Sequence, residues 1–163
     1  MTNDFYTNSI LPYSAIIMKL CRAYTNTQDD FEDYYQEVCL QIWRSRENFR
    51  GDSDWSTWVY RVSLNVCLTL LKKQKKNSQL IAPNNPSPND IADASASKDD
   101  SLCELYEAIR QLSEVDRAII VLYLDDHSYQ SIAHIIGTNS NNVGVRITRI
   151  KQKLRKIMDG KVD

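Results

Sequence analysis

The sequence is poor in the residues that punctuate chains, with four glycines and four prolines in 163 residues. Scarce turn-formers, and the absence of any alternating apolar–polar run bounded by hairpin signals, argue against β architecture. Histidine is nearly missing too: His127 and His134 stand alone, with no glycine-rich phosphate loop and no nucleophile elbow. No catalytic constellation can be assembled from this set, so an enzyme is not expected, nor a cofactor, a metal or a small-molecule substrate. The four cysteines, Cys21, Cys39, Cys67 and Cys103, lie far apart without a CxxC pair. That spacing suggests buried thiols and neither a zinc knuckle nor a disulfide framework. Apolar runs are broken by charge well short of the roughly 20 residues a spanning helix needs. The opening "MTNDFYTNSI" has no basic n-region or apolar h-region. A cytoplasmic protein without membrane insertion is the expectation.

What is present is 42% apolar and 25% charged, enough for one ordinary domain or two small ones with thin cores. Residues 77 to 100, "NSQLIAPNNPSPNDIADASASKDD", hold three of the four prolines and no sustained helical period. This is linker composition, with a reach of about 80 Å fully extended and about 27 Å as a flexible coil. The reading is all-α: two small helical domains, 1–76 and 101–163, joined by a flexible linker at 77–100.

In the first block "DDFEDYYQEVCLQIWRS" opens with acids suited to a helix start and spaces Phe31, Tyr35, Val38 and Ile42 as one buried stripe. Its other side carries Asp33, Gln36, Glu37, Gln41 and Arg44, with Leu40 among them. A lone exposed leucine usually means nothing, whereas an apolar centre ringed by polar groups suits docking; the residues leave both readings open. The next helix, "STWVYRVSLNVCLTLLKKQKK", is apolar over most of its girth and should be central to its block. Its polar residues Trp58, Arg61, Asn65, Thr69 and Lys72 follow one another three or four apart along a single face. An indole, a guanidinium, an amide and a lysine in line suit a single-stranded nucleic acid. The preceding loop "FRGDSDWSTW" has Phe49 and Trp55 at its edges, where they either staple the loop or wall a pocket.

In the second block "SEVD" (113–116) fits a capping box, and Ser128 can cap the short helix "YQSIAHII". Ala133, which allows close helix approach, and Gly137, which can take a positive φ, precede a helix beginning near Asn139; together they outline a helix-turn-helix. Val143, Ile147, Ile150, Leu154 and Ile157 should face the core. The six bases of residues 137–157, with no acid in that stretch, are then left outside as a DNA-phosphate surface. The polar start "NSNN" suits entry into a major groove, where Asn pairs with adenine.

In order and spacing these segments resemble the sigma factors of bacterial RNA polymerase, in particular the small two-domain extracytoplasmic-function group. "DFEDYYQEVCLQIW" resembles the family's core-binding helix, "FRGDSDWSTWVYRVSLNVCLTLLKK" its promoter-melting and minus-10 segment, and "LSEVDRAIIVLYLDDHSYQSIAHIIGTNSNNVGVRITRIKQKL" its minus-35 reading domain. The resemblance implies a region 2-like domain at 1–76, a region 4-like domain at 101–163, and promoter-specific transcription initiation with core polymerase. It implies core-polymerase contacts at Asp33, Gln36, Glu37 and Leu40. Minus-10 contacts fall at Phe49, Trp55, Trp58, Arg61, Asn65, Lys72 and Lys73, the loop 49–56 holding a flipped base. Minus-35 contacts fall at Ser140, Asn141, Asn142, Val145, Arg146, Thr148 and Arg149. Implied partners are core RNA polymerase, double-stranded and melted promoter DNA, and an anti-sigma factor. Without the long extra domains of primary sigma factors, a dedicated regulon is expected. Two departures bear on the promoter sequence: Gly144 where relatives usually have a base, and Thr69 where many have an acid. A stand-alone dimeric helix-turn-helix regulator, and a sigma-like protein that only sequesters a regulator, are the alternatives.

Overall fold

The computed structural model describes residues 2–80 and 100–160, and every regular element among them is helical. The chain divides into two compact units, Met1–Ser95 and Ala96–Asp163.

The first unit begins with a helical turn α1 (Asn3–Phe5), a π-helical turn Tyr6–Ile10 and a 3-10 turn Leu11–Tyr13 that leads into α2 (Ser14–Ala23). Thr27 then takes an extended conformation, and its hydroxyl accepts the Asp30 N–H at 3.1 Å. This cap, with Asp29 and Asp30 in the positive first turn, starts α3 (Gln28–Ser45). After a 3-10 turn at Arg46–Asn48 and a loop turned by Gly51 (φ 79°), α4 runs from Trp55 to Leu80. It packs on both α2 and α3, as its wide apolar surface requires. Ile16, Ile17 and Leu20 of α2, Val38 and Ile42 of α3 and Val59, Leu64 and Val66 of α4 are buried in the core. Each such side chain contributes about 1.5–3 kcal/mol.

Two details differ from the sequence reading. The stripe α3 buries is Tyr34, Val38, Cys39 and Ile42, while Phe31 and Tyr35 are only partly covered. Tyr34 turns inward because its hydroxyl donates to Gln74 of α4 at 3.0 Å, whereas Tyr35 bonds hydroxyl to hydroxyl with Tyr6 and Phe31 lies beneath the Arg22 guanidinium. Secondly, α4 continues through Leu80, beyond the expected end of the block at 76, and the next helix starts at Asp100. The rest of the expected linker lies outside the described residues. The thiols of Cys21, Cys39 and Cys67 are buried in this unit. Burial pushes Cys39 up to about 11, and a hydrogen bond with Cys21 together with burial raises Cys67. Both stay protonated and unreactive at neutral pH.

The second unit comprises α5 (Asp100–Ile109), α6 (Glu114–Leu124), α7 (Tyr129–Ile136) and α8 (Ser140–Met158). Its starts are written locally: Ser113, Ser128 and Asn139 accept the N–H groups of Asp116, Ser131 and Asn142. Gly137 closes α7 at φ 89°, its N–H donating to the Ala133 carbonyl at 2.8 Å. α8 packs against α5, α6 and α7, burying Val143, Ile147, Ile150 and Leu154. Ile157, expected to continue that stripe, is only partly covered in the last turn.

Candidate polymerase and nucleic-acid interfaces

The helical period that buries Tyr34, Val38 and Ile42 leaves the opposite side of α3 outward. Asp33 and Gln36 are exposed there, with Glu37 and Leu40 partly exposed between them. Arg44 approaches Glu37 at 4.0 Å, a surface pair of little energetic weight. The four residues expected to dock the polymerase therefore share one face, with Leu40 as its apolar element.

Glu37 has a second environment. Between α3 and α4 lies an open groove of about 520 Å³ lined by Glu37, Gln41, Ser45 and Asn48 on one side and Trp58, Asn65, Thr69 and Lys73 on the other. Val62, Val66 and Leu70 form apolar parts of its wall. The groove thus joins a residue expected at the polymerase to residues expected at DNA. An apolar wall, an indole and several amides and hydroxyls that both donate and accept make it suited to a heterocyclic base. Gln41, Ser45 and Asn48 were not among the expected site residues. Their signal was the spacing Glu37, Gln41, Ser45 along α3, which gains meaning only beside α4.

The loop aromatics form a connected cluster. Trp55 meets Phe49 edge-on at 5.2 Å, stacks on Trp58 at 4.9 Å, and donates its indole N–H to the Ser9 carbonyl at 2.8 Å. Phe5 packs against both Trp43 and Trp55. Trp55 is therefore a staple between the N-terminal turns and α4, and Phe49 leans on both indoles. Farther along α4, Arg61 is partly exposed and Asn65, Thr69, Lys72 and Lys73 are exposed.

In the second unit Asn141, Val145, Thr148 and Arg149 form the exposed row of α8, with Val145 51% exposed. Ser140 and Asn142 are partly covered at its start. Asn142 donates its amide to the Thr138 hydroxyl at 2.9 Å, and Asn139 is engaged as the cap, so Asn141 is the most open amide of "NSNN". Arg146 corrects the expectation of an uncompensated basic face: its Nη1 donates to Asp116 Oδ1 on α6 at 3.0 Å. The stretch 137–157 has no acid, but the fold supplies one from 30 residues away. On the other flank Lys151 donates to the Tyr123 hydroxyl at 2.7 Å and lies over its ring; that bond raises the lysine's affinity for its proton. Gly144 lies under Tyr129, where a Cβ would come within 3.3 Å of the ring. Among the described residues no cluster of ligating side chains could hold a metal ion, and no helix is long and apolar enough to cross a membrane.

A polar groove on an aromatic-stapled helical unit, and a capped helix-turn-helix with an exposed basic helix, define a class of DNA-dependent transcription protein. Residues 10–77 match the family Sigma-70 region 2, and residues 104–154 match Sigma-70, region 4. The chain belongs to the sigma-70 family, in its extracytoplasmic-function group. It is 29% identical over 157 residues to the RNA polymerase sigma factor SigV of Bacillus subtilis, covering 94% of this chain and 91% of that protein. It is 25% identical over 179 residues to the ECF RNA polymerase sigma factor SigG of Mycobacterium tuberculosis. That match covers 93% of this chain and 48% of SigG, so the chain spans about half that relative's length. The fold is similar to that of the sigma factor RpoE in a complex with the anti-sigma factor NepR from Bartonella quintana. The TM-score is 0.72 at 19% identity, over 97% of this chain and 98% of that one.

Proposed function

We propose that this protein is a cytoplasmic, non-catalytic sigma factor that binds core RNA polymerase and directs promoter-specific initiation. The observation that carries the reading is the groove between α3 and α4, where Trp58, Asn65, Thr69 and Lys73 line one side and Glu37 and Gln41 the other. A helix-turn-helix regulator has no need of it. Asp33, Gln36, Glu37 and Leu40 dock the polymerase. Trp58, Arg61, Asn65, Lys72 and Lys73 hold the separated strand of the minus-10 element, with Phe49 and Trp55 setting the loop beside it. Ser140, Asn141, Asn142, Val145, Thr148 and Arg149 face the minus-35 duplex, with Arg146 on their flank. The division proposed is a region 2-like domain at 1–76, a linker at 77–100 and a region 4-like domain at 101–163, with α4 running on through Leu80 into the linker stretch. An anti-sigma factor is a further partner, supported by the RpoE–NepR complex of the same fold.

The test is reconstituted transcription by a bacterial core polymerase plus this protein over a library of upstream sequences from its own genome. Discrete start sites that depend on the protein are expected. Background initiation alone would overturn the reading.

A further inference from the structure

The bases of α8 are not equivalent, and the difference originates outside the helix-turn-helix. Asp116 stands in the first turn of α6, its backbone N–H held by the Ser113 cap at 3.3 Å. The next residue is anchored as well, Arg117 Nε donating to the Leu112 carbonyl at 3.1 Å. The Asp116 side chain thus projects from an anchored backbone in the first turn of a helix. It accepts from Arg146 Nη1 at 3.0 Å, with the two side chains 26% and 38% exposed. A pair so covered is screened less than one in open solvent. Among the described residues no acid is paired with Arg149 or Lys153, which are exposed on the same flank of α8 as Arg146.

We infer that Asp116 withholds Arg146 from DNA phosphate, making it a positioning residue that lowers the affinity of the minus-35 helix for duplex of any sequence. The Asp116 bond occupies one of the guanidinium's donors, turns the fork toward α6 and offsets its charge, and Asp116 adds a negative charge near the DNA. Weak sequence-independent binding of this kind suits a helix that is to read DNA only where other contacts hold it.

This inference rests on the reading of α8 as a DNA-binding helix, and the experiment separates the two. The full-length protein is titrated with random-sequence duplex DNA across a salt series, with thermal melting of each variant in parallel. Asp116→Asn keeps the shape and removes the charge. It should tighten binding roughly fivefold to tenfold at about 0.1 M salt and steepen the slope of log K against log salt by about 0.9, the signature of one added phosphate contact. In the double variant Asp116→Asn/Arg146→Gln that gain should vanish, and Asp116→Glu, which restores the charge, should return the slope toward wild type. An unchanged slope in Asp116→Asn, or a gain that survives in the double variant, overturns the inference and leaves the DNA-binding helix intact. Absence of salt-dependent binding by the wild type overturns both.

Discussion

The indole rings of Trp55 and Trp58 stack with centroids 4.9 Å apart and planes inclined by 26°, so one face of Trp58 is covered from inside the protein. A base held beside α4 can use only what remains of that ring. The two tryptophans should therefore separate in mutagenesis. Trp58→Ala, which loses the stacking on Trp55 and the contact with Phe49, should reduce promoter opening at a smaller cost in stability. Trp55→Ala also loses the bond to Ser9 and the contacts with Phe5 and Phe49, and should destabilise the first unit by about 2–4 kcal/mol. Melting curves and permanganate footprints of both variants provide the check; equal losses of stability would contradict this division.

Asn65 lies on the groove wall, exposed, about two turns beyond Trp58. Strand separation loses about 1.4 kcal/mol per base-pair step, partly recovered when an unpaired base stacks and hydrogen-bonds to protein. Asn65→Ala should leave core binding and upstream recognition intact and lower permanganate reactivity of thymines at the downstream element. Unaltered reactivity combined with a lower melting temperature would return the α4 stripe to a structural role.

Leu40 is the apolar centre of the polar face of α3 and is not part of the core. Leu40→Ala should weaken core-polymerase binding by about 1–3 kcal/mol, the range of an interface hot spot, with helix content preserved. Fluorescence-detected titration with core polymerase measures this, and unchanged affinity would leave Leu40 an ordinary, partly exposed leucine.

Two glycines of the second unit, Gly137 and Gly144, should respond differently to alanine. At Gly137 space is open and φ is 89°, so Gly137→Ala meets only backbone strain and should cost about 1–2 kcal/mol. At Gly144, inside α8, alanine gains about 0.8–1 kcal/mol of helix propensity, while the Tyr129 ring, 41% exposed, is able to move aside. Gly144→Ala should be neutral to stabilising in urea denaturation. A loss comparable to that of Gly137→Ala would mean that the Tyr129 ring is held in place.

On α8, Arg149 stands in the exposed row with Asn141 and Val145, and Lys153 lies one turn farther on. Lys153→Ala should weaken binding to all upstream sequences and reduce the salt slope by about 0.9. Arg149→Ala should relax preference at one base position, with a discrimination loss of about 1–3 kcal/mol. Binding to a panel of single-base variants distinguishes them; identical profiles would remove Arg149 from base reading.

The sequence by itself determined the helical architecture, because the decisive signals act within a few residues: Ser113, Ser128 and Asn139 cap the helices that follow them, and Gly137 turns the chain. It likewise determined which stripe α8 buries, since Val143, Ile147, Ile150 and Leu154 keep one period. Tertiary structure decided what depends on partners distant in the chain. Tyr34 rather than Tyr35 enters the core because Gln74 stands 40 residues away to receive its hydroxyl. Glu37 belongs to a groove only because α4 lies beside α3, and Arg146 is held by an acid that composition within α8 could not reveal. Periodicity identifies the face a side chain occupies on its own helix; which charge or ring meets it there is set by the packing of another helix.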